Sequence, residues 1–282
     1  MIRNTKAWRW VRRMMRDEFF GNDDQRAVLK RGRAMAELLG KDPKYSYYGR
    51  TVGLVTPDDG DLDQLAALAK VQGNSNYAAV SLSETEAVEG ALRSRGLIPM
   101  HYAKWEGASP VLSAARAVLD AFSLPDDLHI AKIDASTSGP LMASMAELAL
   151  SCGVLPPSGE VLRGLLRPAI CLLAIDSDEN VVSCASSCAF AHENHSTLAH
   201  QAWWGMLATA PAHRGRHLSL ILGAHVVLEM HGNFGFSNFM TGVEPGNAPS
   251  EAVCARMALA PGPHAIIGCA DPDALSGGRM TK

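Results

Sequence analysis

No stretch of this 282-residue chain is continuously apolar for long enough to cross a bilayer. The richest run, Leu218–Met230, is broken by Ser219, His225 and Glu229 and falls short of the ~20 residues a spanning helix needs. The N-terminus, basic and amphipathic through Trp8, Trp10, Arg12, Arg13 and Arg16, lacks the apolar core of a signal peptide and meets Asp17 and Glu18 early. Read as a solvated helix face with Trp and Met packed inward, it implies neither membrane nor nucleic acid. A basic excess is missing too: 26 Lys+Arg against 29 Asp+Glu gives −3, which does not suggest a nucleic-acid binder. Cysteine is absent before residue 152, and the six that follow (152, 171, 184, 188, 254, 269) form no CxxC framework. Cys184 and Cys188, four apart on an expected strand, stand about 13 Å apart, beyond the ~7 Å a disulfide spans. The 25 glycines have no triplet period, which excludes collagen. Hydrophobic residues at 47% and charged residues at 20% exclude a largely disordered chain. The expectation is a soluble, cytoplasmic globular protein.

What is present is uneven. Residues 1–105 hold 17 Lys/Arg and 13 Asp/Glu, and the remainder holds 9 and 16. That asymmetry and the length suggest two units, set here at residues 1–123 and 124–282. In the first, helices are expected at 5–20, 24–39, 62–71 and 84–94, and strands at 50–55, 77–82 and 97–105. A bridging helix covers 111–122. The second unit reads β-α-α-β-β-β-α-β-α-β: strand 128–133, helices 139–151 and 158–166, strands 169–175, 181–191 and 202–209, helix 214–230, strand 236–243, helix 249–257 and strand 264–268. The fold class is α/β (α+β), a mixed central sheet flanked by helices.

One stretch carries chemistry: Leu207-Ala208-Thr209-Ala210-Pro211-Ala212-His213-Arg214-Gly215-Arg216-His217-Leu218-Ser219. A strand ends, Pro stops it, and an Arg/Gly turn opens a helix. A helix N-terminus offers unbonded N–H groups and the positive dipole end, which suit a pyrophosphate. Gly215 permits close backbone approach, and Arg214 and Arg216 add positive charge.

In this stretch and in the element order around it, residues 127–268 resemble the GNAT N-acetyltransferase superfamily. Its (Gln/Arg)-x-x-Gly-x-(Gly/Ala) signature falls on Ala212–His217, where Gly215 fits and Ala212 and His217 depart. A second landmark, Asn followed seven residues later by Tyr in a short helix, falls on Asn247, with Ser250 at the third position and Cys254 in the Tyr's place. The resemblance implies acetyl-CoA as cofactor, held by Leu207, Ala208 and Thr209 along the pantetheine arm. It implies Arg214, Gly215, Arg216, His217, Leu218 and Ser219 at the pyrophosphate, with Asn247 and Ser250 nearby. It implies direct attack by a primary amine on the thioester in a ternary complex, with a backbone N–H near Leu207 meeting the oxyanion. Cys254 is either the general acid for the departing thiolate or a packed small residue.

An ammonium nucleophile needs a base, and Gln201–Thr209 carries no carboxylate. His192 and Glu193, with His195 and His200, are the candidates in the preceding loop, alongside an ordered water. His192-x2-His195-x4-His200 with Glu193 has ligand types but no recognised metal spacing, so no metal is expected. Trp203 and Trp204 face opposite sides of a strand. Either both pack in the core, or one lines the acceptor pocket.

The ending of the first unit, Glu84–Pro99, has the look of the GNAT closing helix and its Gly-apolar corner. That resemblance implies a tandem of a degenerate and a complete copy. The first copy's turn, Thr56-Pro57-Asp58-Asp59-Gly60, is acidic and would repel pyrophosphate, which leaves that unit structural or substrate-shaping. The expected partner is a small-molecule or peptide amine, with a homodimer left open. The alternative to acyl transfer is a non-catalytic acyl-CoA-binding sensor or scaffold.

Overall fold

The computed structural model describes residues 18–275 and residue 280. The helix expected at 5–20 falls outside them, apart from residues 18–20, which are not helical. A single ten-stranded sheet organises the chain. Its strands are β1 (Tyr45–Ser46), β2 (Gly53–Leu54), β3 (Asn74–Ser81), β4 (Ile98–Gly107), β5 (Leu128–Lys132), β6 (Ala169–Asp176), β7 (Val181–Ala189), β8 (Gln201–Thr209), β9 (Asn238–Val243) and β10 (Ala260–Ala270). The helices are α1 (Asp23–Leu39), α2 (Leu62–Gln72), α3 (Thr85–Ser94), α4 (Pro110–Ala121), α5 (Gly139–Ser151), α6 (Gly159–Leu162), α7 (Leu218–Phe234) and α8 (Ala248–Arg256).

The strand order is β1-β2-β3-β10-β4-β9-β8-β7-β6-β5. Two units repeat in it. In the first, β2-α2-β3 places β3 parallel to β2, and α3 leads into β4. In the second, β8-α7-β9 places β9 parallel to β8, and α8 leads into β10. The last strand of each unit crosses to the other: β10 pairs with β3, β4 pairs with β9, and the two pair with each other at the centre. The expected boundary at 123/124 lies between α4 and β5, but the sheet runs unbroken across both units.

Burial explains the layering. On one face, α4 and α7 cover Ile170, Leu172, Val182, Ala202 and Trp204. Nine residues of α7 are buried, which fits a helix apolar nearly all round. On the other face, α5 covers Cys171, Leu173, Cys184 and Met206. A third cluster packs α2 and α3 against Tyr77, Ala265 and Ile267. All six cysteines are free thiols.

Most expected elements match within a few residues. Three differ. The helix expected at 158–166 is only Gly159–Leu162. The helix expected from Arg214 starts at Leu218 and runs on to Phe234, because Pro211–His213 forms a separate 3-10 turn and both Gly215 and His217 adopt left-handed backbone. The strand expected at 50–55 shrinks to two residues. Among the described residues no helix is long and apolar enough to cross a membrane.

Candidate active site

The site forms where two parallel strands part. β8 and β9 pair only from Gln201↔Asn238 to Trp203↔Met240. Beyond that point β8 stays with β7, and its register slips between Cys184 and Ser186. Met206 takes the left-handed φ of 54° at this bulge, a conformation unusual for a non-glycine residue. Ala210 N–H donates to Val182 O on the β7 side (2.9 Å). Alternation along the strand then aims the N–H groups of Leu207 and Thr209 into the gap left by β9.

The gap opens into a cavity of about 750 Å³. Leu207, Ala208 and Thr209 line one wall, together with Arg214, Gly215, His217, Leu218 and Ser219. At its mouth stands the N-terminus of α7. No side chain caps it, and the N–H groups of Gly215, Arg216, His217, Leu218 and Ser219 have no acceptor within the described residues. Unbonded donors of this kind form a natural anion cradle. Gly215 has φ 80°, and a Cβ there would meet nothing within 4 Å; glycine is favoured by backbone angle, not by space. His217 has φ 58°, and its ring lies against Phe122 with centroids 4.3 Å apart. The departure at His217 is accommodated in this way: its side chain packs on α4's terminus. Ser219 and Thr209 share a hydroxyl hydrogen bond of 2.7 Å, and Thr209 a second with Ser183 at 2.9 Å.

Arg214 and Arg216 part company. Arg214 lines the cavity, its Nε donating to Thr209 O at 3.4 Å. Arg216 does not line it; its guanidinium is bound to Asp127 and contacts His213 at 3.1 Å. That guanidinium holds the Asp127 carboxyl below the usual range. Of the two arginines assigned to the pyrophosphate, the structure brings Arg214 to the cavity, while the Arg216 side chain ties the turn to the start of the second unit.

Asn247 caps α8, its side chain accepting from Ser250 N–H at 3.3 Å, and both residues line the cavity. Cys254 also borders it but is 2% exposed and packed in the core. Burial pushes its thiol up to about 12. A free thiol ionises near ~8.5, so this environment makes Cys254 a poorer proton donor than a free thiol. Of its two readings, packing is the one this environment fits.

None of the loop bases reaches the cavity. His192, Glu193, His195 and His200 are absent from its lining. Glu193 and His200 are exposed, and His192 Nδ1 accepts from Asn194 N–H at 3.0 Å. His195 is buried, its Nδ1 accepting from Thr197 and Leu198 N–H and its Nε2 3.4 Å from Asp59 Oδ2. Through His195 the loop clasps the 3-10 turn Pro57–Asp59. Among the described residues no group of three or more His, Cys, Asp or Glu is placed to hold a metal. The sole carboxylate in the described lining is Glu244, just past β9. It follows the last β9 residue, four positions beyond the final β8/β9 pair Trp203↔Met240.

The tryptophans divide as opposite faces require. Trp204 is fully buried, its Nε1–H donating to Gly223 O at 3.1 Å. Trp203 is buried as well, borders the cavity as Trp204 does, and stacks on Tyr48 with centroids 5.2 Å apart. The far wall comes from the first unit: Ser46, Tyr48, Arg50, Thr51, Asn74 and Asn76. No motif in the sequence pointed to these polar residues. The nearest signal was the suggestion that the first unit shapes a substrate site.

The two units differ at equivalent places. Where α7 is open, α2 is closed: Asp61 accepts from Gln64 N–H at 2.7 Å, and Asp59 accepts from Thr56 N–H at 2.9 Å. Carboxylates occupy the donors that an anion would need.

Comparison with solved structures settles what this layout is. A GCN5-related N-acetyltransferase from Kribbella flavida aligns over 89% of this chain and 98% of its own at 12% identity, with TM-score 0.53. The chain has the GNAT fold. A Drosophila protein aligns over 94% and 97% of the two chains at 15% identity and TM-score 0.50. A tandem GNAT protein from the clavulanic acid pathway aligns over 73% and 67% at 14% identity and TM-score 0.49. No protein-family model and no curated protein matches the sequence.

Proposed function

We propose that the second unit binds acetyl-CoA and transfers its acyl group to a primary amine. The observation that carries this reading is the uncapped α7 N-terminus at the mouth of the β8/β9 gap, set against the carboxylate-capped α2 in the first unit. The residues present fit the coenzyme: a row of unbonded N–H groups for the pyrophosphate, Arg214 beside them, and an open strand edge for the amide-rich arm. The coenzyme supplies the acyl group as a thioester.

The chain's own part is as follows. Leu207 N–H, aimed into the gap beside the bulge, is the donor for developing negative charge on a carbonyl oxygen. Glu244, which lines the same cavity, is the candidate base for an ammonium acceptor, directly or through one water. The stacked Tyr48 and Trp203 give the cavity an aromatic wall against which an acceptor could pack. Cys254 keeps its proton, so the departing thiolate is protonated from solvent or from the base.

The reading is tested by calorimetry with acetyl-CoA, followed by an amine screen that detects released thiol. Micromolar binding and turnover are expected, with kcat falling at least tenfold in Glu244→Gln. Absence of binding overturns it. Binding with no turnover on any amine favours the alternative, a coenzyme-binding sensor, which the lack of a carboxylate on β8 and the raised Cys254 thiol support.

A further inference from the structure

The acceptor wall of the cavity is cationic and rich in donors, an odd choice for a site whose substrate is an amine. Arg50 projects from the first unit so that its guanidinium carbon lies 5.5 Å from the Tyr48 ring centroid and 5.6 Å from that of Trp203. Its Nη2 donates to Leu155 O, while its Nε is buried without an acceptor. Among the described residues no carboxylate forms an ion pair with it. Asn74 and Asn76 share one face of β3 and line the same cavity. Asn74 is 6% exposed; its Oδ1 accepts from Thr51 Oγ1 at 3.3 Å, but its Nδ2 has no partner. Asn76 is 9% exposed, and no hydrogen bond forms at its side chain within the described residues. A buried donor without an acceptor is costly, by about 1–3 kcal/mol. Two such donors, Arg50 Nε and Asn74 Nδ2, belong to residues that line this one cavity.

The position of this cluster is informative. A Cβ at Gly205 would meet Trp203 Cζ2 at 2.6 Å, so the indole lies along β8 toward the bulge at Met206. One aromatic ring therefore bridges the guanidinium and the strand segment where the acyl carbonyl is received. The lining carboxylate, Glu244, belongs to the opposite strand, β9's end of the gap. Negative charge is placed for an amine on one side, and positive charge for an anion on the other.

We propose that Arg50, Asn74 and Asn76 form a subsite for a carboxylate carried by the acceptor, so that the substrate is an amino acid or another amine bearing a carboxylate. The guanidinium and amide donors match a planar carboxylate, and Arg suits it better than a point-charged ammonium would. The subsite rests on the acyl-transfer reading for its role but not for its existence.

The test uses matched probes on the full-length protein: α-amino acids, β-alanine and γ-aminobutyrate, each against its carboxamide and its decarboxylated amine, with a dipeptide series to separate a free amino acid from a peptide C-terminus. Calorimetry without coenzyme and kcat/KM with acetyl-CoA are both measured. At least one carboxylate-bearing amine is expected to exceed its carboxamide tenfold or more. Arg50→Gln should collapse that ratio to within threefold, Arg50→Lys should restore part of it, and Asn76→Asp, which adds a repelling charge, should lower it again. Circular dichroism confirms that each variant is folded. Equal use of carboxylate, carboxamide and bare amine overturns the proposal, as does a folded Arg50→Gln that loses all three alike, or no binding across the panel. If acetyl-CoA fails to bind while carboxylates do, the acyl-transfer reading falls and the subsite stands. If amines are acetylated regardless of a carboxylate, the subsite falls and the reading stands.

Discussion

Placing a carboxylate in the first turn of α7 should strengthen the protein and weaken its hold on coenzyme at once. Ser219 is the second residue of the helix, beside the unbonded N–H groups, and its hydroxyl meets Thr209 at 2.7 Å. In Ser219→Asp the new charge faces the positive end of the dipole, worth about 0.3–1 kcal/mol of folding stability. For a chain of this length that is a rise in Tm of up to about 2–3 °C. A pyrophosphate seated on the same N–H groups brings two negative charges to roughly 6 Å from the carboxylate. At an effective dielectric of about 40, each pair costs ~1.4 kcal/mol and both ~3 kcal/mol, a weakening of about a hundredfold. Ser219→Asn is the neutral control, since it keeps a partner for Thr209. Calorimetry with acetyl-CoA at low salt and again at ~0.5 M NaCl reads the effect, and screening should shrink the gap between the variants. If the Ser219→Asp and Ser219→Asn variants bind acetyl-CoA equally while thermal melts confirm the stability gain, no pyrophosphate sits at α7 and the site assignment is wrong.

Other consequences follow from the same geometry. Arg214→Ala should weaken acetyl-CoA about five- to tenfold, whereas Arg216→Ala should change it less than threefold, because only Arg214 lines the cavity; paired titrations decide this. Burial pushes the thiols of Cys184, Cys188, Cys254 and Cys269 up to about 12 and raises Cys171 as well. These thiols keep their protons when folded and lose them above ~8.5 when unfolded, so their stabilising effect is complete below ~8.5 and is lost as pH rises toward 12. Unfolding free energies from urea melts should fall between pH 8 and 9.5, by up to about 1.4 kcal/mol per thiol per pH unit, and a flat profile would refute the burial argument. Gly223→Ala would drive a Cβ to 2.7 Å from Trp204 Cζ2, costing about 1–3 kcal/mol; an unchanged urea midpoint would contradict the packing.

Much of the architecture was readable from local pattern. Apolar periodicity located α1 through α5, and hydrophobic strand runs bounded by turn residues located β5 to β9. The turn at Arg214–Ser219 announced a helix N-terminus, and the structure opens that helix onto the β8/β9 gap. What local pattern could not reveal was partnership at a distance. Arg216 reads as a phosphate contact until Asp127, 89 residues away, takes its guanidinium. His192 and Glu193 carry base chemistry, but the loop that holds them is drawn away by His195 and Asp59, 136 residues apart. Arg50, Asn74 and Asn76 sit in a segment without a motif, and only the sheet brings them opposite Trp203.

The exchange of last strands explains why the site needs both units. Because β10 lies between β3 and β4, and β4 lies between β10 and β9, the sheet face that floors the cavity is continuous from Asn74 to the β8/β9 gap. In the observed exchange β3 pairs with β10 and β9 with β4, so the inner edge of each unit is covered by a strand of the other. The crossing satisfies both edges at once and fixes the distance between the acidic-capped unit and the open one. A duplicated strand–helix–strand unit thereby separates its tasks. The unit whose helix is capped by Asp61 presents a carboxylate where α7 presents unbonded N–H groups, and its polar β3 face forms the far wall of the cavity onto which α7 opens.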